Sequence, residues 1–352
     1  MQQYNATVQQ QFAGHLSMKV GYVGSHGVHM DFYTSDANVP APLVNTKNTL
    51  EFPCLTAAAK DASGNVLTCK TASATKGNPA VGQILGSGWF VGSTYNGLLL
   101  QVKQTYSSFQ WQTSFTWQKS LDSSSSVTSG TPFSNSLNQY LFHGLKGPSD
   151  YNLPRVFVSS GLWKLPRAVK SESALGYVLN NWQLGGIYQV SDGAPFSVTI
   201  TGDTLGLGNS TPLNMPNRLT APGCGGNPVN PGNRVNYIKN ECFATAQSNL
   251  PNATLFGNSG RNQLRGPAYQ ETDISLEKNF ELGETRLEVR ADAFNIANHP
   301  NLAPPYTNAG FGVTAAGALN TAYRGQAGAT SVGQIVTAAP PRQIQISARL
   351  IF

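Results

Sequence analysis

The chain has 352 residues, of which 11% are charged and 40% hydrophobic, with 36 glycines and 21 prolines. A soluble domain carries about 25% charged residues, and a chain this apolar is not the highly charged type that stays disordered. The net charge of +6 is spread without any Lys/Arg-rich run, so no nucleic-acid partner is expected. No stretch approaches the ~18 to 20 consecutive apolar residues of a membrane helix.

Period-two alternation predicts nine strands in chain order, at 4–12, 16–23, 97–106, 109–118, 155–163, 182–190, 270–280, 285–294 and 342–352. The sharpest is Phe109–Gln118, where Phe109, Trp111, Phe115 and Trp117 share one face with Thr113. The other face is Gln110, Gln112, Ser114, Thr116 and Gln118. An exposed strand face in a soluble sandwich usually carries charge. Aromatic residues on one face, with amides and hydroxyls on the other, suit a strand between lipid and a hydrated lumen.

The same dyad recurs along the chain. Leu98, Leu100, Val102 and Tyr106 alternate with Gln101, Lys103 and Thr105, and Trp182, Leu184, Tyr188 and Val190 alternate with Gln183 and Gln189. Leu287, Val289, Ala291 and Ala293 oppose Arg286, Glu288, Arg290 and Asp292. Four charges in a row are costly against lipid, so they are expected to form a ladder in a polar lumen. In the last strand Ile344, Ile346, Ala348, Leu350 and Phe352 share a face, and the terminal residue is aromatic.

Connections of contrasting length separate these strands. Residues 13–15, 107–108 and 281–284 are tight turns, and 164–181 is a moderate link containing Pro166 and Gly176. Residues 24–96, 119–154, 191–269 and 295–341 are long and rich in Gly, Pro, Asn, Ser or Thr. Short turns at one end and long loops at the other are the layout of outer-membrane barrels. Nine strands is an odd number, whereas bacterial single-chain barrels are even; a tenth is conceivable in Ala194–Thr201.

Cys54/Cys69 and Cys224/Cys242 each fall within a Gly/Asn/Pro/Thr-rich segment, and two local disulfides are expected, with four free thiols as the alternative. Enzyme motifs such as a G-x-S-x-G elbow, a P-loop or H-E-x-x-H are missing, so no enzyme and no cofactor are expected. His26, His29 and Asp31 imitate a metal trio but read better as a turn after a strand. His299 follows Phe294-Asn295, where turn bonding by Asn295 and Asn298 accounts for the pattern. Trp89, Phe90, Tyr95 and Trp163 are candidates for aromatic girdles near strand ends.

Three stretches carry a family resemblance. Arg265-Gly266-Pro267, Asp273–Phe280 and Arg290-Ala291-Asp292-Ala293-Phe294-Asn295-Ile296-Ala297-Asn298-His299-Pro300 form one. Trp182–Gly186 with Ser191–Phe196 is a second, and Tyr22–Gly27 a third. Together they resemble the C-terminal barrel region of Oar-like TonB-dependent receptors of the outer membrane. The chain departs from that family at Asn152-Leu153-Pro154-Arg155, where an acidic-Arg-His stretch is usual.

The resemblance implies an all-β, antiparallel transmembrane barrel with long extracellular loops. About 9–10 strands of a larger barrel span residues 1–352, in contact with outer-membrane lipid. It implies uptake of an unknown solute, with TonB engaged only through a plug region. Neither that plug nor a signal peptide is found in these residues, so a fragment of the receptor is expected. The terminal strand resembles the signal read by the barrel assembly machinery. A surface adhesin or structural barrel, and a soluble secreted β-rich binding domain, are the alternatives.

Overall fold

A computed structural model describes residues 1–12, 15–34, 38, 43–44, 50–51, 78, 80–81, 84, 86–125, 146–169, 174–198, 200–201, 215–244, 258–305, 311–312 and 333–352. Nine long strands form one antiparallel meander: β1 Gln2–Phe12, β2 Leu16–Thr34, β3 Gly86–Thr105, β4 Phe109–Asp122, β5 Arg155–Lys164, β6 Trp182–Ser191, β7 Tyr269–Leu282, β8 Thr285–Phe294 and β9 Gln343–Ile351. Each pairs with its sequence neighbours, and the two-residue strand Gly147–Pro148 adds to β4. The path ends at β1 and β9, so the sheet is open among the described residues.

Register turns nine separate alternations into two continuous faces. Residues directly opposite in an antiparallel pair project to the same side. One row therefore runs Val8, Val20, Leu100, Phe115, Phe157, Val190 across β1 to β6. Nearer the turn end another runs Phe109, Trp163, Leu184, Leu276, Ala291, Ile346 across β4 to β9. The opposite face includes Gln9, Lys19, Gln101, Ser114, Val158, Gln189, Glu271. One face is predominantly apolar, with Gln10, Gln104, Thr113, Ser159 and Lys278 among its polar members, and the other is largely hydrated.

All short connections lie at one end. Gly283 and Glu284 alone join Leu282 to Thr285, and Gly283 has the positive φ of 68° that this two-residue hairpin requires. The Tyr106 amide donates to the Phe109 carbonyl across the β3–β4 turn. The β5–β6 link, expected as a moderate connection, contains a helix, Ala174–Leu179. Six residues are too few to display a 3.6-residue period.

Two expectations need correction. The β2–β3 arms continue well into the segment read as loop at 24–96, since Gly24–Thr34 pairs with Gly86–Asn96. Gly, Ser and His interrupt alternation there, yet the backbone ladder continues through register shifts around Gly27 and Met30, with His29 at φ 53°. Consequently Trp89, Phe90 and Tyr95 lie inside β3 rather than at a strand end. Ala194–Thr201 supplies no tenth barrel strand. It holds two short pieces, Pro195–Phe196 paired with Leu264–Arg265 and Ile200–Thr201 paired with Phe311–Gly312, both off the main sheet.

The dry core is not on the sheet. Phe196, Val198, Cys224, Val229, Tyr237, Ile238, Cys242, Phe243 and Leu264 pack together within the long β6–β7 connection. The long connections all emerge at the end opposite the short turns. This core therefore sits at the loop end.

Candidate functional site

The β6–β7 connection is fastened to the loop end by a set of arginines. Arg261 is fully buried and ion-pairs with Asp122, the last residue of β4, and with Asp150 at 3.6 Å. It also donates to the Asp122 carbonyl at 2.9 Å and to Ser125 Oγ at 3.2 Å. Burial pushes its pKa down to about 10, which leaves the guanidinium cationic near neutrality. Two carboxylates supply the compensation that a buried cation needs. Asp122 lies opposite Ser93, on the same side of β4 as Gln118 and Ser114. Arg261 thus enters from the hydrated face.

Neighbouring contacts close the same seam. The Asn262 side chain donates to the Pro148 carbonyl at 2.9 Å and accepts from Ser197 Oγ at 3.0 Å. The Arg265 guanidinium donates to the carbonyls of Asn152 and Gly193, and burial lowers its pKa. The Arg265 carbonyl accepts from the Tyr237 hydroxyl, whose pKa burial raises. Two glycines allow the backbones to meet. A Cβ at Gly193 would lie 1.9 Å from the Gly266 carbonyl oxygen, and one at Gly147 would lie 2.4 Å from that of Arg261.

Asp192 receives a forked pair from Arg155, at 2.7 and 3.0 Å, with the Arg155 amide adding a third bond. The hydrogen bond from Arg155 holds the Asp192 carboxyl below its ordinary range. At Asn152-Leu153-Pro154-Arg155, the stretch that departs from the resembled family, the backbone still docks. The Asn152 side chain accepts from the Ser120 amide, and Gln118 binds the carbonyls of Leu153 and Pro154.

A second clip joins the loop ends of β7, β8 and β9. Asn295 is buried at φ 49°; its side chain bonds both the amide and the carbonyl of His299, and its own amide donates to Asp273. Asn298 Oδ1 accepts from the Arg342 amide, and Asn301 Oδ1 from the Gln270 amide. The His299 ring contacts Asn301 Oδ1 at 3.2 Å. These are turn and anchoring bonds.

The row Arg286, Glu288, Arg290 and Asp292 lies on the hydrated face of β8. Register places Arg286 opposite Glu281, Arg290 opposite Glu277 and Glu288 opposite Arg349. Arg290 also ion-pairs with Asp292 at 2.9 Å. Ile344, Ile346, Ala348 and Leu350 share the apolar side of β9, and Phe352 is exposed beyond it. Cys224 and Cys242 form a disulfide across 18 residues within the loop core. Cys54 and Cys69 lie outside the described residues.

His26 touches Thr94 Oγ1 within the β2–β3 ladder, and His29 occupies the bulge. Among the described residues no group of three or more His, Cys, Asp or Glu is placed to hold a metal. Trp163 lies on the apolar face at the turn end of β5, but the Tyr95 hydroxyl bonds Gln118 on the hydrated face. Sequence reading missed Asp122, Asp150, Arg261 and Asn262. They are isolated polar residues whose partners lie more than 100 positions away. Only the folded chain brings them together.

Residues 1–345 match the family described as outer membrane beta barrel domain. The chain belongs to that family. It is a protein of the cell outer membrane, and its apolar face is the lipid-facing one. Among solved structures, the fold is similar to the outer membrane transporter YddB from Escherichia coli, at 9% identity and a TM-score of 0.47, covering 98% of this chain and 32% of that one. It is also similar to FpvA of P. aeruginosa, solved with pyoverdine, at 10% identity and a TM-score of 0.39, covering 98% and 26%. The chain therefore spans about a third of the length of the first of these. No curated protein matches it.

Proposed function

We propose that residues 1–352 are part of the barrel of an outer-membrane receptor that takes up a solute with energy delivered by TonB through a plug region. The observation that carries this reading is the pairing of a lipid-facing side with a hydrated side, at whose loop end a folded, arginine-fastened cover is docked. Such a cover offers a rigid surface for recognising a solute, and the charged row below it suits a wet lumen.

Strand direction supports membership in a larger barrel. β1 and β9 run the same way, because eight antiparallel steps separate them. Their free edges cannot pair antiparallel with each other, nor with those of a second copy in the same orientation. Open edges are not tolerated in hydrocarbon. With nine long strands among the described residues, completion of the ring by an odd number of further strands is the reading this favours, and it fits a receptor of about 22 strands. In that barrel Ile344, Ile346, Ala348, Leu350 and Phe352 form the signal for the assembly machinery. Deleting Phe352 should lower the inserted fraction, and unchanged insertion would remove this assignment.

The function is tested by following the medium. Cells with and without the gene, and cells lacking TonB, are grown on a complex medium whose small molecules are profiled by mass spectrometry. At least one solute should be depleted by the wild type and spared by both deletions. If no solute depends on the gene, the surface-binding or structural reading replaces transport. If a solute depends on the gene but not on TonB, uptake is passive.

A further inference from the structure

Beside the strands, the helix Ala174–Leu179 at the turn end also turns a set of apolar side chains outward. Its sequence is ALGYVL, and Leu175, Tyr177, Val178 and Leu179 are 60%, 51%, 60% and 44% exposed. Scattered exposed apolar residues are ordinary, but four within one helix, beside a lipid-facing sheet, mark a contact surface.

Its position is fixed from two sides. The Trp182 indole N–H donates to the Val178 carbonyl at 2.8 Å, and Trp182 begins β6 on the lipid-facing side, opposite Lys278. Lys278, although on that same face, is buried: its ammonium bonds the Asn180 carbonyl and lies 4.8 Å from the Phe280 ring and 5.7 Å from that of Trp182. This is a lysine stem laid along apolar surface with its charge led to the polar boundary. Asn180 also ties down the start of the connection, accepting from the amides of Ala168 and Val169 and donating to the Val169 carbonyl. The helix is thus held firmly at the turn end, on the lipid side.

We propose that Ala174–Leu179 is an interfacial anchor that lies in the headgroup layer of the periplasmic leaflet. Continuity with the lipid face names the occupant as phospholipid. Charge agrees: the connection carries Arg167 and Lys170 against the single acid Glu172, with Lys164 at the adjoining strand end, so phosphate is the fitting counterpart. The anchor fixes the depth of β5–β7 in the bilayer, in the way aromatic belts do elsewhere. This inference rests on the lipid-facing assignment of the apolar sheet face.

Spin-label depth measurement on the intact barrel that carries residues 1–352 separates the anchor from the lipid face. Nitroxides are placed singly at Val178→Cys, Phe115→Cys and Glu284→Cys in vesicles of phosphatidylethanolamine and phosphatidylglycerol, with the unsubstituted chain labelled in parallel as background. Collision with oxygen is compared with collision with a water-soluble nickel chelate. The oxygen-to-nickel ratio should be highest at 115, lowest in the turn at 284, and at least severalfold above the turn value at 178. A ratio at 178 within twofold of that at 284, with 115 still lipid-like, overturns the anchor alone. A nickel-accessible label at 115 overturns the lipid face itself, and the anchor with it.

Discussion

The sheet and the β6–β7 connection are stabilised by different means. Along β1, β5, β8 and β9 no residue is fully buried, because the sheet's apolar side is turned outward and only lipid can cover it. The connection, by contrast, shields Ile238 and Cys242 completely and closes around a disulfide. One region takes its order from the backbone ladder and its solvent from the membrane. The other builds a small water-soluble core and fastens it to the first through Arg261 and Arg265. The two should fail independently, and each of the following substitutions tests that separation.

The most far-reaching effect, loss of insertion of the whole sheet, is expected from Phe115→Arg, which puts a charge in the middle of the lipid face. A depth-dependent cost of roughly 2–4 kcal/mol is expected for Arg near the bilayer midplane, so the folded fraction of the intact barrel in vesicles should drop sharply on gel-shift assay. Ser114→Arg, one residue along on the hydrated face, should insert almost normally.

Next is Arg261→Ala. Removing one partner of a buried pair costs about 3–5 kcal/mol, here charged to the cover alone. Amides in 215–244 should lose hydrogen-exchange protection while β4–β7 keep theirs. Reducing the Cys224–Cys242 bridge should act in the same place with about 3 kcal/mol, the value for a loop of this order; Cys224→Ser with Cys242→Ser should reproduce it. A matching loss of protection in the strands would show that the two regions are one cooperative unit.

The smallest effect concerns pH. Asp192 is held below its ordinary carboxyl range by Arg155, so the pair's contribution is present above the unfolded-state pKa of Asp192 and fades as pH falls through the lower folded value. Acidification should loosen the Arg155–Asp192 seam first, and Asp192→Asn should abolish that pH dependence of protection at residues 152–156. Because Arg155 is largely exposed, added salt should weaken the effect.

Legibility in the sequence followed the same division. The strands from Phe109 onward were readable because alternation between lipid and water acts locally, residue by residue, and their bounds agree with the observed ones to within a few positions. The far arms of β2 and β3 were not, since Gly24–Thr34 holds its place by pairing with Gly86–Asn96 and not by its own pattern. The cover was opaque for a deeper reason. Arg261, Asp122, Asp150 and Asn262 carry no motif, and their meaning arises only when segments more than 100 residues apart converge. Gly193 and Arg265 stood within recognisable family stretches, yet nothing in those stretches revealed that they touch.

The most direct test of the whole account is a single-cysteine scan of residues 109–118, made in the intact barrel that carries them, with a bimane fluorophore in vesicles containing brominated phospholipid. Quenching should rise at 109, 111, 113, 115 and 117 and fall at the even positions between them. Uniform quenching, or stronger quenching at the glutamine positions, would contradict the division of this sheet between hydrocarbon and water.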